Sequence, residues 1–122
     1  MGSPGTQRQP LDVGDPRVAY VIALIEKYPS TDLVVSRLAR AVNLSSSRLQ
    51  RIFVLHTGLT LARYIKGVRL RRADDLVCGT FLTIKEIVAA VGLHDESHFV
   101  RDFKSSYGFT PTERRRAVRA NK

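Results

Sequence analysis

Two stretches of this chain repeat one another about fifty residues apart, and the repeat restricts what the rest can be. Shifted by 49 residues, Leu38, Val42 and Leu44 fall on Ile87, Val91 and Leu93. Shifted by 50, Leu49, Arg51, Phe53, Gly58 and Thr60 fall on Phe99, Arg101, Phe103, Gly108 and Thr110. One residue has therefore entered the turn of the second copy. Any two amphipathic helix pairs share apolar spacing. The coincidence of Arg, Phe, Gly and Thr at a single offset goes beyond that, and indicates one supersecondary unit used twice.

The unit is easiest to read in residues 83–111, TIKEIVAAVGLHDESHFVRDFKSSYGFTP. Thr83 and Glu86 have the spacing of a capping box, and Ile84, Ile87, Val88 and Val91 recur as one helical face. Gly92 supplies a tight turn and Asp95 a cap for the next helix. That helix places Phe99, Phe103 and Ser106 on one side and Ser97, Arg101 and Lys104 on the other. A helix that is apolar inside and basic outside, directly after a turn, is the pattern of a helix-turn-helix that lays its second helix in a DNA major groove.

The same rules order the rest of the chain. Residues 1–14 are rich in Gly, Pro, Ser and Gln and are expected to be a disordered linker or tag. Asp15 caps a helix with Pro16 at its first position, Val18, Val21, Ile22 and Ile25 form its stripe, and Pro29 stops it near Tyr28. A second helix is expected over 31–42, capped by Thr31 or Asp32 and burying Leu38, Ala39 and Val42, with Asn43 as the turn residue. A third opens at Ser45 or a neighbouring serine and runs to His56, with Gly58 as its stop; Leu49, Ile52, Phe53 and His56 cluster on its inner side.

Thr60–Cys78 reads as one long helix ended by Gly79, with Leu61, Ile65, Val68 and Leu76 apolar and Arg63, Lys66, Arg69, Arg71 and Arg72 charged. Its length, about 28 Å at about 1.5 Å per residue, approaches the roughly 34 Å between successive major grooves on one face of a duplex. A rigid spacer of that size avoids ordering two heads on binding. After the second pair, Thr110 and Glu113 form another capping box with Pro111 at the first helical position, opening a last helix that carries Arg114, Arg115, Arg116 and Arg119 and frays toward the terminus.

The expected fold is thus all-α: seven helices, two helix-turn-helix subdomains joined by a long linker helix, homeodomain-like. The divisions are 15–58 for the first subdomain, 59–79 for the linker helix, 80–119 for the second and 120–122 for a tail. VIALI and DLVV suit strands by composition, but their helical spacing and caps outweigh it.

Lys and Arg total 20 against 11 Asp and Glu, a net charge of +9 on 122 residues, which favours an acidic partner, nucleic acid before an anionic membrane surface. No run of apolar residues is long enough to span a membrane, and the single cysteine, Cys78, excludes an internal disulfide and fits a reducing cytosol. His94 and His98 stand four apart with His56 in the other unit, too few ligands for a metal site. No catalytic triad order, phosphate loop or carboxylate pair stands out, and Asp74-Asp75 reads as helix surface. Neither an enzyme nor a bound cofactor is expected.

With these residues in view, the chain resembles the AraC/XylS family of bacterial transcription regulators over about residues 17–118. Ile84, Ile87, Gly92, Phe99, Arg101, Phe103, Lys104, Gly108, Thr110 and Pro111 match the family's second helix-turn-helix signature. Leu38, Ala39, Leu44, Ser45, Leu49, Arg51, Phe53, Gly58 and Tyr64 match its first, and Arg69 and Ala73 its linker helix. The chain departs from the pattern at Val54, Val88, Leu93, His98 and Arg114, where lysine, alanine, phenylalanine, tyrosine and tyrosine are common. The resemblance implies specific binding to double-stranded promoter DNA in the cytoplasm and, usually, activation through RNA polymerase. Most members carry a separate effector-binding or dimerisation domain, so the resemblance leaves two readings: the DNA-binding module of a longer regulator, which the linker-like residues 1–14 favour, or a small stand-alone activator.

The candidate DNA-contacting residues are Ser46, Ser47, Arg48, Gln50 and Arg51 in the first recognition helix and Ser97, His98, Arg101 and Lys104 in the second. Arginine pairs with guanine O6 and N7 and glutamine with adenine N6 and N7 through two hydrogen bonds each. Arg48 lies more to the side, toward phosphate. Arg51 and Arg101 are equally compatible with solvated or internally paired surface charges, the latter with Asp102 or Glu96. The competing reading is a basic helical module that docks an acidic protein.

Overall fold

The computed structural model describes residues 14–29 and 34–120. These residues form seven α-helices and no strand: α1 Pro16–Lys27, α2 Val35–Ala41, α3 Ser46–Thr57, α4 Leu61–Gly79, α5 Ile84–Ala90, α6 Glu96–Tyr107 and α7 Pro111–Ala120. None is long and apolar enough to cross a membrane. Residues 1–13 of the expected linker 1–14 and residues 121–122 of the expected tail 120–122 lie outside the described residues; Ala120 is the last residue of α7.

Two compact units divide within α4, Ile65 closing the first and Lys66 opening the long stretch of the second. In the first unit Val18, Val21 and Ile25 of α1, Leu38 and Ala39 of α2, Leu49 and Phe53 of α3 and Leu61 and Tyr64 of α4 are buried, with α1 and α2 both packed on α3. Phe53 meets the Tyr64 ring edge-on, centroids 5.6 Å apart, a favoured arrangement for two quadrupoles. The second core gathers Leu70, Ala73 and Val77 of α4, Ile87, Val88 and Val91 at α5, and Phe99 and Phe103 of α6. No charged or polar residue is buried among the described residues.

The caps explain most boundaries. Asp15 Oδ1 accepts the Arg17 amide at 2.8 Å to open α1. Its carboxyl is held well below the usual range because the Arg17 guanidinium and amide both donate to it. Thr60 Oγ1 accepts the Arg63 amide at 3.2 Å to open α4. Reciprocal bonds make capping boxes at Thr83–Glu86 and Thr110–Glu113.

Four expectations require correction. The second helix begins at Val35, not 31, and its N-cap Val34 makes no side-chain cap bond; Thr31 and Asp32 lie outside the described residues. Gly79 does not stop α4 but is its last residue, and its φ is not positive. The stop comes from Thr80, whose amide and hydroxyl both donate to the Leu76 carbonyl, at 3.1 and 2.6 Å. Ser106 is exposed rather than inward; Tyr107 takes the inner position, its ring 4.7 Å from that of Phe103. Finally, Asp74 is no bare surface charge, because Arg114 of α7 donates to both its oxygens at 3.0 and 3.2 Å.

Candidate nucleic-acid interface

The two turns close through the same two bonds. The Asn43 amide donates to the Arg40 carbonyl at 3.1 Å and the Gly92 amide to that of Ala89 at 3.1 Å. The Leu44 amide donates to Ala39 and the Leu93 amide to Val88, each at 2.9 Å. Both pivots are left-handed, Asn43 at φ 58° and Gly92 at φ 82°. Asparagine and glycine tolerate that region where other residues are strained. The two copies stay in step through Leu44 and Leu93. The additional residue is therefore His94, between Leu93 and the cap Asp95.

From the caps onward the copies run at one offset. Ser45 Oγ accepts the Arg48 amide at 3.2 Å, and Asp95 Oδ1 the His98 amide at 3.0 Å. Each recognition helix has 12 residues and ends at a left-handed glycine, Gly58 or Gly108. Leu49 and Phe53 in α3, and Phe99 and Phe103 in α6, are no more than 1% exposed. These buried pairs fix which side of each helix faces water. Ser47, Arg48, Gln50 and Arg51 are exposed on α3, and Ser97, His98, Arg101 and Lys104 on α6. Ser46, the first helical residue of α3, is half-buried.

Arg51 and Arg101 occupy the same helical position, each with its guanidinium unclaimed by any carboxylate among the described residues. Asp102, the neighbour that threatened to neutralise Arg101, instead receives Lys66 of α4 at 3.3 Å. This bridge links α6 to α4 within the second unit and leaves Arg101 facing outward. Beside these polar residues, Val54 is exposed on α3 and Val100 of α6 is half-buried against the core.

The helix starts differ in charge. The first turn of α3 holds no acid and opens with three serines, whereas α6 opens with Asp95 and Glu96. The His98 amide holds the Asp95 carboxyl below its ordinary range. The His98 ring stands 3.8 Å from Asp95, both side chains about two-thirds exposed. Cys78 is half-buried and donates to Asp74 at 3.6 Å; burial pushes its thiol up, which makes it a poor nucleophile. Among the described residues no three His, Cys, Asp or Glu side chains gather where they could hold a metal ion.

Sequence reasoning missed the side chains that brace these helices. Tyr64 donates to Glu26 at 2.6 Å, and Arg69 to the Pro29 carbonyl at 2.8 Å. Arg115 donates to the Val77 carbonyl at 3.0 Å, so α7 is docked along α4 rather than loosely trailing. One signal was available: the 50-residue offset pairs Tyr64 with Arg114, and each reaches back to the helix before its own helix-turn-helix pair, α1 and α4 respectively.

A duplicated helix-turn-helix with two outward arginine-bearing helices defines the class, and comparison with known proteins supplies the family. A family model described as a helix-turn-helix domain matches residues 38–117. The Msm operon regulatory protein of Streptococcus mutans is 34% identical over 104 residues, 85% of this chain and 37% of that protein. The C-terminal domain of AraT, a response regulator from Geobacillus stearothermophilus, superposes with a TM-score of 0.78 at 27% identity, covering 89% of this chain and 88% of that one. An AraC-type DNA-binding-domain regulator from Chromobacterium violaceum gives a TM-score of 0.79 at 27% identity, covering 84% and 92%. The chain belongs to the AraC/XylS family of helix-turn-helix domains. It spans about a third of the length of the curated relatives it matches.

Proposed function

We propose that this chain is the sequence-reading module of a bacterial transcription regulator, with α3 and α6 entering successive major grooves of one duplex. The observation that carries the proposal is the matched, unpaired pair Arg51 and Arg101, each held outward by a buried apolar pair on the opposite side of its helix. Arg51 and Arg101 read guanine edges, Gln50 an adenine edge, and Ser46, Ser47, Ser97 and His98 add hydrogen bonds to bases or sugar-phosphate. Arg48 and Lys104 lie toward the phosphates. A domain of the same fold, that of AdpA, is seen in complex with a target DNA, and the family includes a protein named as a transcriptional activator, RhaS of Enterobacter.

The proposal extends to the cytoplasm as the place of action and to activation through RNA polymerase. It includes an effector-sensing domain in a longer regulator that contains this module. Selection from random duplexes tests the core of it. A site of roughly 15–20 bp with two blocks about one helical turn apart is expected. Recovery of bound DNA without any shared sequence rejects specific reading and leaves a basic module that docks acidic partners.

A further inference from the structure

We infer that the face of α7 bearing Thr112, Arg115, Arg116 and Arg119 is a second phosphate-binding surface, a cleft beside the end of α4 that grips the DNA backbone flanking the bases read by α6. The inference rests on the DNA reading proposed above and carries it to a face outside both recognition helices.

The four arginines of α7 are not equivalent. Arg114 is matched by the Asp74 carboxylate. The other three line the cleft or its rim and keep their charge. Arg115 donates only to neutral carbonyls, Val77 at 3.0 Å and Leu76 at 3.5 Å. Arg119 donates to the Thr80 carbonyl at 3.4 Å and lies 4.6 Å over the Phe81 ring. Carbonyls and a ring position a guanidinium without neutralising it, and each guanidinium has five N–H donors, so donors remain for an anion. Arg116 is exposed and has no carboxylate partner among the described residues. The helix's own acid, Glu113, is turned to its cap, bonded to the Thr110 amide at 2.8 Å.

Three positive charges within five residues, two of them braced, make a surface that loses little side-chain freedom when an anion arrives. The occupant follows from position. α6 packs on α7, and Lys104 of α6 and Arg116 of α7 are both exposed. The arginine-bearing helix is thus the direct neighbour of the basic recognition helix, as a backbone running past α6 requires. An isolated docking patch for an acidic protein has no need of that adjacency.

The test measures binding of the whole 122-residue chain to the duplex it selects, across a salt series. Removing one phosphate-binding charge should reduce the slope of log K against log salt by about 0.9. Arg116→Ala is expected to lower it by about 1 and Arg116→Ala with Arg119→Ala by about 2, with the selected motif unchanged. Arg116 braces no other element, so the single variant separates weaker phosphate binding from a damaged fold. Trimming the duplex beyond the α6 block should weaken the parent chain and leave the double variant indifferent. An unchanged slope for Arg116→Ala overturns the inference, as does an altered motif, and an acidic-protein site would give the unchanged slope. Should the parent chain select no motif at all, it is the DNA reading itself that fails.

Discussion

The first and second helix-turn-helix units are one backbone plan secured by two chemistries. Their turns share hydrogen bonds, left-handed pivots and buried pairs, yet the side chains that lock each unit differ. In the first, the Tyr64 hydroxyl donates to Glu26 and ties α4 to α1. In the second, the Arg114 guanidinium takes both Asp74 oxygens and ties α7 to α4. Caps differ as well. Ser45 and Thr60 cap α3 and α4 with neutral hydroxyls, and α2 has no side-chain cap. In the second unit α5 and α7 have full capping boxes and α6 an aspartate. What the two units share is apolar spacing and a left-handed pivot. Their polar locks differ in chemistry while joining the corresponding helices.

The largest effects should test whether the units are independent cores. Phe53→Ala and Phe103→Ala each remove a fully buried ring and should cost about 3–5 kcal/mol in denaturant unfolding. Hydrogen exchange is expected to loosen only the mutated unit; simultaneous loosening of both would break the comparison. Next come the readers. Arg51→Ala and Arg101→Ala should each cost about 1–3 kcal/mol of DNA binding, in different blocks of the selected site. Uniform loss on all sequences would make both arginines phosphate anchors.

The locks should separate by salt. Tyr64→Phe removes a hydroxyl bonded to a carboxylate and should cost about 1–2 kcal/mol, little altered by salt. Arg114 and Asp74 are partly exposed, 35% and 19%, so Asp74→Asn should cost at most about 1 kcal/mol at low salt and less at high salt. Equal salt sensitivity would show that the two locks are not different in kind. Smaller still, Val34→Asp supplies α2 with the side-chain acceptor it lacks and should raise stability by about 0.5–1 kcal/mol.

The smallest effect is on acid response. Hydrogen bonds from the His98 and Thr110 amides depress the Asp95 and Glu113 carboxyls in the folded state. Their contribution is present above about pH 4, the ordinary carboxylate range, and is lost as pH falls through the lowered values. Serine and threonine caps do not titrate. Exchange protection at the starts of α6 and α7 should therefore fall in acid before that at α3 and α4, and the opposite order would contradict this account of the caps.

The helices were legible because their signals are local. A cap, an apolar stripe at helical spacing and a left-handed stop lie within a few residues of one another, as at Thr83, Glu86 and Gly92 or at Ser45, Leu49 and Gly58. The repeat strengthened each half by the other, and it assigned Arg51 and Arg101 to the outer faces where the structure exposes them. Where the reading failed, one local signal was overruled by another. Gly79 looked like a stop, but the Thr80 hydroxyl closes α4 on the Leu76 carbonyl. Ser106 fitted the inner face by angle, but Tyr107 covers Phe103 with more apolar area.

What the sequence by itself determined is the motif, its duplication and the outward face of each recognition helix, since period and capping depend on neighbours along the chain. Only the tertiary structure decided which charges are spent inside. Asp102 meets Lys66 across 36 residues, and Arg114 meets Asp74 across 40. Pairings over such separations depend on where the buried apolar faces bring the helices together. No spacing rule along the chain could therefore show that Arg114 is neutralised while Arg101 and Arg116 remain open.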